Sequence, residues 1–423
     1  MKKKSKGNKK QQSHIHHYVP QWYQRRFLPP GQTNFFYLDL HPDTFTWTGG
    51  SHILKALRRL GPSACFYKED LYTLKLGSWS TDQIESHFFG VVDSRGRNAV
   101  SYFAEFNGIE APAWDAGGNL GPYMDAQKFR TPRGLDLIKK RSGGSDHNAT
   151  LLSMQREFKY TTMWMEATWE IVRARRSPTK FIVSDDPVTF YCKRLFPSDR
   201  TYPNEMYLGQ TGTRTLFPLG LDSCLILTHV QLVRNPWSNP FEPRTNARSV
   251  PAAGPKYLPD IQYGRELEED EVLRINHILK TRAVRFIAAA EEEWLYPERR
   301  VSTKEWENLD DDWFLLPNLW RVSFHREIMI GHQGGGASAW DEYGRRPWEL
   351  GYKDERQRDL ECQTCEMAKR EWAVKRIGKS RAQTDERMGM DVADKMADDF
   401  LREQGLIHGP INRPYDWKES TSE

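Results

Sequence analysis

Long apolar runs are missing from this 423-residue chain. The longest, such as Cys224-Leu225-Ile226-Leu227, fall far short of the ~20 residues that a membrane helix needs, so no membrane partner is expected. Cysteine is scarce too: the five at 65, 192, 224, 362 and 365 are odd in number and sparse. That usage argues against a disulfide scaffold, fits a reducing compartment, and makes a cytoplasmic location the expectation. Neither sign of charge is in large excess, since 61 Lys and Arg face 57 Asp and Glu for a net +4. So small a balance does not by itself imply a nucleic-acid partner. The basic start, Met1 to Lys10, is followed by no apolar stretch or small-residue cleavage site, so it is not read as a secretory signal. No internal repeat is visible.

Aromatics, by contrast, are plentiful. Fifteen Trp, 17 Tyr and 20 Phe argue against wholesale disorder, and the length allows a sizeable core. The expected fold class is α+β (mixed α/β), with a central sheet, long packing helices and a helical C-terminal extension. Residues 1–12 read as a basic arm, 13–297 as a core domain able to fold alone, and 298–423 as a Trp-rich segment with a charged helical extension. The arm, through lysines such as Lys9 and Lys10, can contact phosphate backbones; as a solvated tail it would contribute only solubility.

After the arm, Pro20 suits a first helical turn, and Val19, Tyr23 and Phe27 share one helical face. Residues 34–39 read as a strand that pairs with 45–47 across the His41-Pro42-Asp43 turn. A helix opens at Thr81, with Phe88, Phe89, Val92, Val100 and Phe103 as its apolar stripe. Residues 107–148, rich in Gly, Pro, Asp and Asn, read as a long irregular loop. A helix is expected over 151–176, strands over 180–184, 215–219 and 223–229, and another helix over 266–290. Gly331-His-Gln-Gly-Gly-Gly336 lacks the Gly-Lys-Ser/Thr ending of a phosphate loop and reads as a linker. Cys362-Gln-Thr-Cys365 has no second pair and reads as packing.

The chemically richest stretch is His14-Ile15-His16-His17-Tyr18-Val19-Pro20. If it is extended, His14 and His16 share a face suited to one metal ion while His17 points the other way, towards the core. The plainer role for these histidines is to orient a loop through backbone hydrogen bonds. Asp185 and Asp186 follow a buried-looking strand, where open sheets place their sites, and carboxylates there suit Mg2+ or Mn2+ better than Zn2+. An Asx-turn closing the strand accounts for Asp185 equally well and for Asp186 better. Glu85 is either an acid near a helix start or a site carboxylate, and Asn276 points inward from its helix as a core or site residue, with Arg285 on the opposite face. Arg25 and Arg26 join Lys9 and Lys10 as candidate nucleic-acid contacts.

Several of these segments resemble one family. His16-His17-Tyr18-Val19-Pro20 with Arg25-Arg26-Phe27 is similar to the opening of a bacterial domain-of-unknown-function family, number four-two-three-eight. Phe66-Tyr67 with Asp70-Leu71-Tyr72, Ile84-Glu85, Ser184-Asp185-Asp186-Pro187-Val188, Phe217-Pro218-Leu219, Ile275-Asn276 and Ala283-Val284-Arg285 resemble its later signatures in order. Gln24 stands where that family usually has leucine, and Asp186 where it usually has asparagine. The resemblance covers roughly residues 13 to 296 and implies a fold and a site without a reaction.

The function expected is a metal-dependent hydrolase of phosphodiesterase or nuclease type, compatible with a defence effector. His16, His17 and Asp185 are its metal ligands, and His17, Asp185 and Glu85 its catalytic groups. An imidazole of the opening motif is expected within several ångströms of Asp185. The alternative is a non-enzymatic nucleic-acid or protein-binding module.

Overall fold

The computed structural model describes residues 14–77, 79–108, 113–144, 146–154, 160–192, 206–244, 261–301, 309, 313–321, 328–332, 334–341 and 343–377. The basic arm with Lys9 and Lys10, and the expected helical stretch beyond 377, lie outside the described residues.

The chain enters through β1 (Ile15–His17), α1 (Gln21–Gln24) and a tight helical turn, Arg25–Phe27. Strands β2 (Phe35–Asp39), β3 (Thr44–Trp47), β4 (Gly50–Ile53), β5 (Leu57–Leu60), β6 (Tyr67–Glu69), β7 (Leu74–Leu76) and β8 (Trp79–Thr81) follow. A π-helical stretch, Ile84–Phe89, runs into α2 (Gly90–Ala104). Helices α3 (Ala113–Phe129), α4 (Pro132–Arg141), α5 (His147–Met154) and α6 (Tyr160–Glu166) lead to β9 (Thr168–Arg173). Then come β10 (Val183–Ser184), β11 (Thr189–Cys192), β12 (Thr213–Gly220), β13 (Ser223–Thr228), α7 (Val230–Arg234), β14 (Gln262–Glu266), α8 (Glu269–Arg282) and β15 (Phe286–Ala289). Strands β16 (Ile328–Gly331) and β17 (Ala337–Trp340) and helix α9 (Glu355–Ile377) complete the described elements.

The fold is mixed α+β, but its strands do not share one central sheet. Four strands in the order β10-β15-β2-β5 form one antiparallel sheet. Five in the order β11-β12-β13-β9-β14 form another, antiparallel except where β14 runs parallel to β9. The chain passes directly from the first sheet to the second at Asp185–Val188, between β10 and β11. Among the described residues, no helix is long and apolar enough to cross a membrane.

The first helical turn behaves as its spacing implies. Val19, Tyr23 and Phe27 are wholly buried; Tyr23 stacks on Phe217 of β12, and its hydroxyl donates to the Pro218 carbonyl. Each such aromatic burial contributes roughly 1.5–3 kcal/mol. The hairpin expected over 215–219 and 223–229 is β12–β13.

Several local expectations are corrected. Residues 107–148 are not a loop, since α3 and α4 occupy most of them. Helix α3 is buried on nearly every side along its C-terminal half, so its sequence shows no apolar stripe, and Pro122 sits inside it. The helix expected over 151–176 stops short: α5 and α6 are helical, residues 155–159 lie outside the described residues, and Thr168–Arg173 is a strand. The helix expected over 266–290 ends at Arg282, so Arg285 is not on it. Strand β3 pairs with β4 and not with β2. The described residues of the 331–336 stretch are no linker: Gly331 ends β16, and His332 and residues 334–336 lie between it and its partner strand β17.

Strand β10 is shorter than expected and lies at a sheet edge. It is buried all the same, because α8 covers it. The Ile182 amide donates to Asn276 Oδ1 at 3.2 Å, and Asn276 Nδ2 donates to the Lys180 carbonyl at 2.8 Å. The side-chain amide thus stands in for a missing neighbour strand, the usual liability of an edge.

Past the expected boundary near 297, Phe314 and Leu315 pack into the main core. Arg265 of β14 donates to the Phe314 carbonyl at 2.8 Å, and Gln262 exchanges two hydrogen bonds with the Asn318 backbone. A second small core joins Leu232 and Val233 of α7 to Trp313, Leu316 and the α9 residues Cys365, Ala368 and Trp372.

Candidate functional site

The opening motif is held by β6. His16 pairs across from Lys68, and its ring is fully buried, stacked on Tyr72 with centroids 5.3 Å apart. The Tyr72 amide donates to His16 Nδ1 at 2.9 Å. His14 is exposed and bonds Asp70 through Nδ1 at 2.8 Å. The histidine that meets the core is therefore His16, and the His14–His16 chelating face is not formed. His17 is half-buried, with Nε2 3.2 Å from the Ser63 carbonyl and 3.5 Å from Gln21 Nε2. Burial pulls its pKa below the ordinary value.

Asp185 closes the crossing between the sheets. Its Oδ1 accepts from the Val284 amide (2.8 Å), and its Oδ2 accepts from the amides of Arg285 (2.7 Å) and Phe286 (2.9 Å). Both oxygens are thus committed to the turn that ends α8 and starts β15. Burial outweighs these donors and pushes the carboxyl up to about 6. The residue of the opening motif that senses this charge is Tyr18. Burial first, then Tyr37 and Asp185, hold its hydroxyl protonated.

Asp186 has a different partner. Lys128 Nζ lies 3.0 Å from each of its oxygens and 3.0 Å from the Val188 carbonyl, while Arg133 stands 3.4 Å away. All three side chains are buried. Gln127, Lys128, Arg130, Thr131 and Arg133 form a run of buried polar residues at the α3–α4 junction. Sequence reasoning missed this run by treating it as a loop. Its signal was present as Thr131-Pro132, an N-cap with proline in the first turn, whose hydroxyl accepts from the Gly134 amide.

Glu85 is a candidate carboxyl with one buried oxygen left without a partner. It sits in the π-helical stretch ahead of α2, a local geometry often associated with function. Phe89, Asp93 and Arg97 follow at intervals of four and continue one helical face. Opposite that face, Arg130 sends Nη1 to Asp93 at 2.9 Å and Nε to Gln127 at 2.8 Å, with Nη2 also on Gln127. Gln127 in turn donates to the Tyr18 carbonyl at 2.9 Å, and the Tyr72 hydroxyl donates to the Arg130 carbonyl at 2.7 Å. The opening motif therefore supports the Glu85 face from behind, through Tyr18 and through the His16–Tyr72 stack.

Glu85 itself is only partly covered, and its buried Oε2 has no hydrogen-bond partner. Burial pushes its pKa up to about 7, the nearby Arg130 opposes the shift, and Asp93 and Asp82 add to it. A carboxyl poised near neutrality beside a fixed ion pair is suited to proton transfer. Further along the face, Arg97 lies over the half-buried Trp22 ring at 5.6 Å, and Trp22 packs on Tyr123. Helices α2 and α3 can approach this closely because residue 96 is glycine; a Cβ there would stand 2.2 Å from the Tyr123 ring.

The remaining candidates are not brought to this face. Arg25 is exposed and donates to Gln21 at 2.9 Å. Arg26 is not free for phosphate, since it ties the first turn to the Leu219 carbonyl (2.6 Å) and Ser101 (3.0 Å). Asn276 covers the β10 edge, and Arg285 bonds Asp39 (2.8 Å) and Asp43 (2.7 Å). Among the described residues, no group of three or more His, Cys, Asp and Glu is arranged to hold a metal ion. With Asp185 saturated by amides and His16 Nδ1 committed to Tyr72, the geometry gives no support to a cation held by His16, His17 and Asp185. No family model, curated protein or solved structure matches this chain.

Proposed function

We propose that the chain is a hydrolase of phosphodiesterase type in which Glu85, and not a metal centre at His16, His17 and Asp185, transfers the proton. The observation that carries this reading is the unpartnered Glu85 Oε2, buried in a π-helical stretch and poised near pH 7. Deprotonated, Glu85 is able to take a proton from an attacking water; protonated, it is able to protonate a leaving oxygen. The Asp93–Arg130 pair sets the local charge and fixes the helix face. From Glu85 to Arg97 the face extends somewhat less than the roughly 18 Å that twelve α-helical residues would span, because its first part is π-helical. An extended polyanion would span it, meeting Arg97 and the Trp22 ring at the far end.

The test is turnover of a chromogenic phosphodiester and of a fluorescent single-stranded oligonucleotide between pH 5 and 9. The expected profile has a limb near pH 7, and Glu85→Gln removes it with a rate loss of about 10²–10⁴. Absence of turnover by the native chain, or an undiminished rate in Glu85→Gln, overturns the reading.

A further inference from the structure

The ribbon formed by β2 and β5 continues past the edge of its sheet. The Asp39 amide bonds the Ala56 carbonyl at 2.9 Å, and the Leu54 amide bonds the Asp43 carbonyl at 2.9 Å. Beyond that point β3 and β4 pair from Thr44↔Ile53 to Trp47↔Gly50. This tip is exposed on both faces. A two-stranded hairpin without a buried face is marginal by itself, and it does not ordinarily show large apolar side chains to water. Here Phe45 is 63% exposed and Trp47 52%.

The two rings belong to one face. Phe45 stands opposite His52 and Trp47 opposite Gly50, and the rings lie 6.1 Å apart at an interplanar angle of 28°. Glycine at 50 is what allows this. A Cβ there would come within 3.0 Å of the Trp47 ring, so the indole lies across the partner strand with its position set in advance. The turn closes through Gly49 at φ +109°, a conformation that other residues rarely adopt.

Charge is distributed just as unevenly. From residue 44 to residue 68 there is no carboxylate, while Lys55, Arg58, Arg59 and Lys68 carry positive charge. Arg58 and Arg59 are exposed on β5, an edge strand, where their guanidiniums lie over Tyr37 (5.7 Å) and Phe36 (4.3 Å). The acids at the base of the ribbon, Asp39 and Asp43, are already bonded to Arg285.

We infer that the β3–β4 hairpin and the adjoining β5 edge form a docking platform for single-stranded nucleic acid. Bases stack on Phe45 and Trp47, and phosphates meet Lys55 and then run along the β5 edge, which Arg58 and Arg59 flank from its two faces. Rings beside a cationic track are the combination that holds such strands without reading sequence. A lipid surface fits less well. The tip is Thr48-Gly49-Gly50-Ser51, and the back face carries, beside the exposed Ile53, the residues Thr44, Thr46 and Ser51, whose hydroxyls would lose water on insertion. This inference does not rest on the hydrolase reading, because it is measured as binding.

The experiment is fluorescence anisotropy of a labelled twenty-nucleotide oligothymidine with the full chain, run in both the native and the Glu85→Gln backgrounds so that binding and cleavage fail separately. Binding is expected in both, weakening steeply with salt, and at least tenfold weaker after Phe45→Ala with Trp47→Ala. Trp47→Phe, which keeps a ring, should retain most of the affinity, and Lys55→Gln should reduce the salt slope. Unchanged melting of the alanine variant confirms that the loss is local. No binding at low salt, equal binding by the ring-less variant, or ring-dependent binding to phosphatidylserine vesicles in place of the oligonucleotide would each overturn the assignment.

Discussion

Lys128 and Asp186 meet in the interior with the ammonium 3.0 Å from both carboxylate oxygens, and neither side chain reaches solvent. The Asp186 carboxylate answers a buried cation, with Arg133 beside it. Lys128→Met should cost about 3–5 kcal/mol, because Asp186 is left buried with only the more distant Arg133. Asp186→Asn should cost less, and the double variant should recover part of the loss. Urea unfolding of the three variants checks this, and equal, additive effects would show that the pair is uncoupled.

Asp185→Asn should destabilise the chain by about 2 kcal/mol or more. The amide keeps one acceptor oxygen and presents hydrogens to backbone donors now 2.7–2.9 Å from the carboxylate. The folded carboxyl, raised to about 6 from its ordinary 3.8, holds its proton more tightly than the unfolded one. Stability from this group therefore declines as pH climbs from 3.8 to about 6 and is level above. Thermal melts of native and Asp185→Asn chains across that window measure the difference.

Glu85 acts in the same sense over a higher window, from its ordinary 4.5 to about 7. Glu85→Gln removes that cost, so at pH 7 the variant should be more stable than the native chain by about 1 kcal/mol or more. Buried His229 and His277, pushed down to about 4 and about 3, oppose this trend below 6.5, so the two chains are compared at each pH. A variant no more stable at pH 7 would place Glu85 in water.

A chain ending at 297 loses Phe314 and Leu315 from the main core together with the backbone partners of Gln262 and Arg265. Their burial corresponds to roughly 3–6 kcal/mol. The truncated chain should melt well below one ending at 321, as read by circular dichroism. Equal melting would keep the expected boundary near 297.

What the sequence made legible was local. Val19, Tyr23 and Phe27 announced a buried face by spacing alone, and the β12–β13 hairpin by two apolar runs around a turn. Glu85 was singled out, but Asp93 and Arg130 were not, because their meeting depends on how α2 packs against α3. That helix escaped notice because its buried face carries Asp125, Gln127 and Lys128, whose partners are distant in the chain. The end of α8 was misplaced for a related reason. Val284, Arg285 and Phe286 leave the helical path where Asp185 collects their amides, and no neighbouring residue signals that stop.

That collection of amides also orders events during synthesis. Asp185 and Arg285 are 100 residues apart. At about 5–20 residues per second, the ribosome delivers the acceptor roughly 5–20 s before its donors. During that interval β10 lacks β15 beside it and, until residue 276 is made, lacks Asn276 to cover its edge. This is the interval in which a chaperone would bind, and a ribosome stalled before residue 276 would leave that segment open to a protease.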